Sequence, residues 1–168
     1  YKMAVTILNL PIGAIAIPVS TVFKQQAAAA QAAFRTCREI YLKTTRILIL
    51  SGSLPYLVLG LFGSGLLPLI FGPDWQPAGK MVQILAGLYF ARFVVSPLTS
   101  VTQLTGHQQF ALGFNIFLLI LTFILFYGGH QTGASYRQLL SAYAMVYGSL
   151  YLFTYAMCLR FCSHAGQD

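Results

Sequence analysis

A stripe of polar side chains, which includes one arginine, follows the apolar stretch 81–102 of this sequence. The stripe consists of Tyr89, Arg92, Ser96, Thr99 and Gln103. Steps of three and four residues place all five on one face of a helix. A guanidinium in hydrocarbon costs roughly 2.5–3.5 kcal/mol on insertion scales, so we expect Arg92 to face a protein interior or a watery cavity. There it would bind an anionic group.

Other roles for Arg92 stay open at this point. It could form a structural ion pair with a helix outside this sequence, or clamp backbone carbonyls. Snorkelling to the head groups would have to cover about half a span, which is far for one side chain. Asn9 is a further cavity candidate, because it lies on the small and polar face of the first apolar run. Most of that face is expected to pack against other helices.

Residues for catalysis or metal binding are missing from the apolar stretches. The acidic residues are Glu39, Asp74 and Asp168, all outside those stretches. They offer no paired carboxylates for acid–base chemistry, and no phosphate-binding loop occurs. The histidines, His107, His130 and His164, fall in predicted loops or the tail, so no Ser-His-Asp set can be assembled. We predict no enzyme activity, no cofactor and no metal site.

The three cysteines, Cys37, Cys158 and Cys162, lack the spacing of metal ligands. Cys158 and Cys162 lie one helical turn apart near the end of the chain. We predict that they are free thiols in a helix tail.

The composition indicates an integral membrane protein. Of 168 residues, 57% are hydrophobic and only 8% are charged, and the mean hydropathy is +0.71. Soluble domains carry about 25% charged residues, so these charges cannot cover a water-soluble surface. The formal charge of +7 comes from basic residues between apolar runs. It is a topology signal and not the footprint of a nucleic-acid-binding protein.

The elements that position the stripe are predicted to be helices. We expect an all-α, polytopic membrane bundle with five transmembrane helices, each long enough to cross about 30 Å of hydrocarbon. The predicted spans are residues 3–23, 47–70, 81–102, 110–127 and 138–159. Residues 24–46 carry five basic side chains and predict a short amphipathic helix at the membrane surface. A polar hairpin, 71–80, a turn, 106–109, a loop, 128–137, and a polar tail, 160–168, complete the chain.

Basic residues predict the orientation of the bundle. Lys24, Arg35, Arg38, Lys43, Arg46 and Arg160 lie on one side of the five predicted spans, and Lys2, Lys80 and Arg137 lie on the other. The side with more lysine and arginine is expected to be cytoplasmic, which places the 24–46 segment and the C-terminus there. We also expect this chain to be the C-terminal piece of a longer protein, because it starts with Tyr1 at the edge of an apolar run.

Several stretches together resemble a known transporter family. They are YKMAVTILNLP at 1–11, TVF at 21–23, LLPLIFGPDW at 66–75, PAGKMVQILAGLYF at 77–90 and SPLTSVTQLTGHQQFALGFN at 96–115. This pattern is similar to the C-terminal part of polysaccharide-biosynthesis flippases of the multidrug/oligosaccharidyl-lipid/polysaccharide exporter superfamily. His107 stands at the turn where family members often have a basic residue. The chain departs from the family after TVF, where Lys24 and an Ala/Gln run replace the usual proline and acids.

The resemblance implies a function for the polar stripe. The chain would form five helices of the second bundle of a two-lobe transporter in the bacterial inner membrane. It would contact membrane lipids and the N-terminal helices of the same protein. Its substrate would be an isoprenoid-diphosphate-linked oligosaccharide, the repeat unit of O-antigen, exopolysaccharide or capsule, flipped by alternating access. Alternatives are a small-molecule or drug exporter of the same superfamily, and the membrane anchor of a glycan polymerase or acyltransferase.

Overall fold

The computed structural model describes residues 2–34, 37–104, 108–131 and 135–164, and no strand occurs in these ranges. The α-helices are α1 Lys2–Pro11, α2 Ile17–Phe34, α3 Arg38–Phe71, α4 Gln76–Leu98, α5 Val101–Leu104, α6 Gln108–Gln131 and α7 Tyr136–His164. A π-helical turn, Ile12–Ala16, joins α1 to α2, and a 3-10 turn, Pro73–Trp75, precedes α4.

Five helical stretches are long and apolar enough to cross a membrane. They are Lys2–Ala30, Arg38–Phe71, Pro73–Leu98, Leu112–Gly129 and Tyr136–Cys162. The prediction of an all-α chain with five long apolar helices is therefore confirmed. Their length and hydropathy indicate a multi-pass membrane protein.

The prediction of a separate amphipathic helix at 24–46 is wrong. The first half of this segment continues α2 as far as Phe34, and the second half is the start of α3. No glycine or proline occurs between Lys24 and Arg46, and the first half is rich in alanine, the strongest helix former. Both neighbouring helices therefore extend beyond the apolar runs.

Other helix ends also differ from the predictions. Helix α6 continues to Gln131 and α7 runs from Tyr136 to His164, so the predicted loop 128–137 is shorter and the predicted tail begins later. Of the predicted turn 106–109, residues 106 and 107 lie outside the described residues, and residues 108 and 109 already belong to α6. The hairpin is also short, since α3 ends at Phe71 and the 3-10 turn starts at Pro73. Gly72 links them with φ of 100°, a conformation that glycine adopts without a Cβ clash.

Helix α4 is the centre of the bundle. It contacts α1, α2, α3 and α7. In the most apolar 18 residues of the stretch Pro73–Leu98, 56% are buried. In the stretch Leu112–Gly129 of α6, at the periphery, none are buried. The closest packing is against α3, where Gly63 and Gly79 let the two backbones meet. Small residues at such crossings allow close van der Waals packing in membrane bundles. The central position of α4 decides which helices can surround Arg92.

The first membrane-crossing stretch is interrupted at Pro11. The sequence predicts an irregular helix there, because proline lacks an N–H donor and clashes with the preceding turn. The structure has a π-helical turn directly after Pro11. The Tyr56 hydroxyl, on α3, donates a hydrogen bond to the Leu8 carbonyl at 2.9 Å in a buried setting. A neighbouring helix thus bonds a backbone carbonyl close to the irregular turn, as a membrane interior requires.

We predict that Tyr56→Phe destabilises the bundle. The change removes the donor to Leu8 and leaves a buried carbonyl short of a partner, which costs about 1–3 kcal/mol. Thermal unfolding in detergent, followed by the monodisperse fraction on size exclusion, should show a midpoint lower by about 2–10 °C. The control is Tyr127→Phe, since Tyr127 is 70% exposed. Equal midpoints for the two variants would show that the hydrogen bond from Tyr56 to Leu8 does not contribute to the stability of the fold.

A disulfide joins Cys37 to Cys162, with the Cα atoms 5.1 Å apart, so the prediction of a free thiol at Cys162 is wrong. Cys158 is free and buried. The two partners are 125 residues apart in sequence, so spacing along the chain could not reveal the pair. One helical turn after Cys37, the Tyr41 hydroxyl donates a hydrogen bond to the Tyr155 carbonyl at 3.0 Å. Both contacts fix the start of α3 against the end of α7.

We predict that Cys162→Ser lowers the free energy of unfolding by about 2–5 kcal/mol, since the bond closes a long loop in the unfolded chain. Peptide mapping without reduction should find Cys37 and Cys162 in one cross-linked species and Cys158 alkylated alone. Cys158→Ser is the control that keeps the cross-link. Alkylation of all three cysteines before any reductant is added would refute the pairing.

Candidate functional site

A polar cavity of about 420 Å³ lies among α2, α4, α5, α6 and α7. It is lined by Ser20, Lys24, Arg92, Ser96, Thr99, Ser100, Thr102, Phe114, Asn115, Leu118, Tyr151 and Thr154. Two of these side chains are cations, and among the described residues no carboxylate lines the cavity. Most of the others carry a hydroxyl or an amide. The lining therefore favours an anionic, hydrogen-bonding ligand.

Arg92 reaches the cavity from the last part of α4. It lies six residues before Leu98, about 9 Å along the helix axis, so it is closer to that end than the sequence suggested. Its side chain is exposed, and its Cζ atom lies 5.7 Å from the centroid of the Tyr89 ring. Tyr89 itself is buried. A cation held against an aromatic face loses some of its freedom while its donors stay available.

The structure brings part of the predicted stripe together at the cavity. Arg92, Ser96 and Thr99 line it. Tyr89 lies behind Arg92 and is not one of the lining residues. The side chain of Gln103 lies outside the described residues. Asn9 is also not one of the lining residues. Its side-chain amide donates to the Val5 carbonyl at 2.8 Å within its own helix.

Lys24 is the important lining residue that the sequence did not assign to the site. Its place among the basic residues of 24–46 suggested a cation at the membrane surface. Because α2 continues as a helix past Phe23, Lys24 stays on the face that carries Ser20 one turn earlier, and both reach the cavity. The signal in the sequence was the i, i+4 spacing of Ser20 and Lys24. It could not be interpreted without the continuous helix.

Several of the hydroxyl groups that line the cavity are already engaged in hydrogen bonds. Four already donate to carbonyls of their own or the adjoining turn: Thr99 to Ser96 at 2.8 Å, Ser100 to Pro97 at 2.6 Å, Thr102 to Thr99 at 2.7 Å and Thr154 to Leu150 at 2.9 Å. The bonds of Thr99, Ser100 and Thr102 hold the irregular backbone between α4 and α5, just after Pro97, and the Thr154 bond lies within α7. The strong donors left for a ligand are Lys24 and Arg92. An anion bound here would rest mainly on these two charges.

The tyrosines at steps of four on α7 serve two purposes. Tyr147 is buried, and its hydroxyl donates to the Leu118 carbonyl of α6 at 2.7 Å and contacts the Thr122 hydroxyl. Tyr155 packs against Tyr41, with ring centroids 5.4 Å apart. Tyr151 instead lines the cavity. Tyr147 and Tyr155 thus pack against neighbouring helices, while Tyr151 offers the cavity an aromatic ring.

Within the described ranges no group of three or more His, Cys, Asp or Glu side chains comes together as a metal site. Comparison of the chain with protein-family models, curated proteins and solved structures finds no match.

Proposed function

We propose that this chain is part of a transporter that moves an isoprenoid-diphosphate-linked oligosaccharide across the bacterial inner membrane by alternating access. The observation that carries this function is the pairing of Lys24 and Arg92 in one polar cavity without a carboxylate among its described lining residues. A diphosphate needs two or more cationic donors, and a guanidinium binds phosphate oxygens in a bidentate way.

The rest of the lining suits a glycan next to the diphosphate. Hydroxyl and amide groups hydrogen-bond sugar hydroxyls, and the Tyr151 ring provides an apolar face for a sugar ring. The volume of about 420 Å³ holds only part of a lipid-linked oligosaccharide. The remainder would occupy space shared with a second bundle. This agrees with the proposed two-lobe arrangement, in which this chain supplies helices of one lobe.

The orientation expected for the bundle suggests from which side of the membrane the cavity would receive its cargo. The lysine and arginine distribution predicts a cytoplasmic location for the Lys24 end of the bundle. Arg92 lies towards that end of α4, so the cavity would receive its cargo from the cytoplasmic side. The Cys37–Cys162 bond lies at the same end, in a compartment where disulfides are rare. Both residues are almost fully buried, at 1% and 0% exposure, which would keep soluble thiols from the bond.

Binding of an isoprenyl diphosphate to the purified full-length protein tests the proposal. We expect saturable binding of the diphosphate, weaker binding of the isoprenyl monophosphate, and competition by inorganic diphosphate. Lys24→Gln should weaken binding of the diphosphate about tenfold, the effect of losing one charge-assisted hydrogen bond. Binding of lipophilic cations in place of the diphosphate would favour the drug-exporter alternative, and a deletion strain would then show drug sensitivity with normal polysaccharide.

A further inference from the structure

A second, apolar groove of about 380 Å³ lies between α3 and α4. It is lined by Ser53, Tyr56, Leu57, Gly60, Leu61, Gln83, Ala86, Gly87 and Phe90. It shares no lining residue with the polar cavity. Its α3 wall is strongly exposed in the described chain, with Leu57 at 58% and Leu61 at 65%. Both helices belong to the five stretches that can cross a membrane, so the groove opens at the depth of lipid acyl chains.

Two glycines, which carry no side chain, leave space for the groove. A Cβ added at Gly87 would meet no atom within 4 Å, so this position leaves open space on the α4 wall. A Cβ at Gly60 would make only ordinary contact, 3.5 Å from the Ala86 Cβ. The Phe90 ring closes the deeper end, where it packs against Tyr56 with centroids 5.9 Å apart. The result is a narrow channel with aliphatic and aromatic walls.

The shallow end of the groove is polar. The Gln83 side-chain amide donates to the Leu61 carbonyl at 2.9 Å and bridges the two helices there. Lys80 precedes Gln83 by three residues and Gly87 by seven, so all three lie on the same face of α4. Lys80 is also about 10 Å along the axis from Pro73, where the membrane-crossing stretch begins. A lysine at that depth reaches the phosphate level with its long side chain.

We propose that this groove binds one anionic phospholipid, with an acyl chain between α3 and α4 and the head-group phosphate at Lys80. The occupant follows from the combination of apolar walls at acyl depth and one cation at head-group depth on the same helix face. A phospholipid is the membrane component that presents both chemistries in that order. This site is independent of the polar cavity, and its existence does not depend on what the cavity transports.

Quenching of a tryptophan reporter by brominated lipids tests the site. Trp75 is the single tryptophan of these 168 residues. Trp75→Phe combined with Phe90→Trp, with phenylalanine at every tryptophan outside this segment, leaves one reporter in the groove. The full-length protein is reconstituted in phosphatidylcholine vesicles containing a minor fraction of phosphatidylglycerol, with bromine on the acyl chains of one lipid or the other. We expect phosphatidylglycerol to bind the groove about fivefold more tightly than phosphatidylcholine, the preference that one lysine near a phosphate provides.

Three variants make the test specific. Lys80→Gln should abolish the head-group preference, and Gly87→Leu should fill the groove and reduce quenching by both lipids. Gly113→Leu is the matched control, because a Cβ at Gly113 on α6 also meets nothing within 4 Å. Native mass spectrometry of the protein without the reporter should show one retained phospholipid, lost in Gly87→Leu and kept in Gly113→Leu.

Equal quenching by the two lipids, or quenching that Gly87→Leu leaves unchanged, would overturn the proposal. So would efficient self-cross-linking through a cysteine placed at Leu57, since a second copy of the chain would then occupy the groove.

Discussion

In the full-length protein, Arg92→Ala is expected to reduce surface polysaccharide at least tenfold while the amount of protein in the membrane stays the same. The guanidinium is one of the two cations that line the polar cavity among the described residues. In the proposed transporter its loss would remove charge-assisted hydrogen bonds to the anionic cargo, each of which contributes about 1.5–3 kcal/mol. That energy corresponds to a loss of about 10–150-fold in affinity.

Abundance should be unaffected because the change leaves no buried partner charge in the described surroundings of Arg92. The interaction with the Tyr89 ring is lost, which costs about 0.5–1 kcal/mol. Removing a cation from a membrane-spanning helix is favourable by a similar or larger amount. The bundle of the variant should therefore be at least as stable as that of the wild type.

Two further variants separate charge from structure. Arg92→Lys keeps the charge without the bidentate geometry and should retain intermediate export. Arg46→Ala removes an exposed cation on α3 that does not line the cavity, and it should export normally. Wild-type export by Arg92→Ala, or a loss of polysaccharide that simply follows a loss of protein, would show that Arg92 does not act on the cargo.

Gly79→Ala is expected to destabilise the contact between α3 and α4 and, with it, the whole bundle. A Cβ at Gly79 would lie 2.5 Å from the Gly63 carbonyl oxygen and 2.8 Å from the Ser64 Cα. Both atoms are backbone, so no side chain can rotate away and α3 and α4 must separate. Overpacking of this kind costs about 1–3 kcal/mol, and more when a helix pair has to move. Because α3 and α4 form the centre of the bundle, we expect the thermal midpoint in detergent to fall by about 5 °C or more.

Gly65→Ala is the matched control for this prediction. Gly65 is also helical, on α3, and a Cβ there meets nothing within 4 Å. Alanine has the higher helix propensity, so this variant should be as stable as the wild type or slightly more stable. If Gly79→Ala and Gly65→Ala unfold at the same temperature, then the close approach of α3 and α4 is not a determinant of stability.

The polar site could be predicted from the sequence only within single helices. Arg92 and Ser96 share a face of α4, Thr99 continues that face directly after Leu98, and periodicity was enough to group the three. Lys24 is 68 positions away from Arg92 in the sequence, and helical periodicity does not say which helix faces which. Asn9 shows the converse limit. Its polarity suggested a cavity, but its amide is bonded to the Val5 carbonyl of its own helix.

The sequence by itself determined the five long apolar helices, because the length and hydropathy of a run are local properties that limit it to a membrane-crossing helix. Tertiary structure alone decided that α4 is central, that Lys24 joins Arg92, and that Cys37 reaches Cys162. It also decided which glycines have room for a side chain. Gly79 and Gly65 are the same residue type in a helix, but a Cβ would clash with the α3 backbone at Gly79 and meet no atom within 4 Å at Gly65. The physical reason is the same in each case. These features depend on contacts between helices that are distant along the chain, and no local pattern of residues records them.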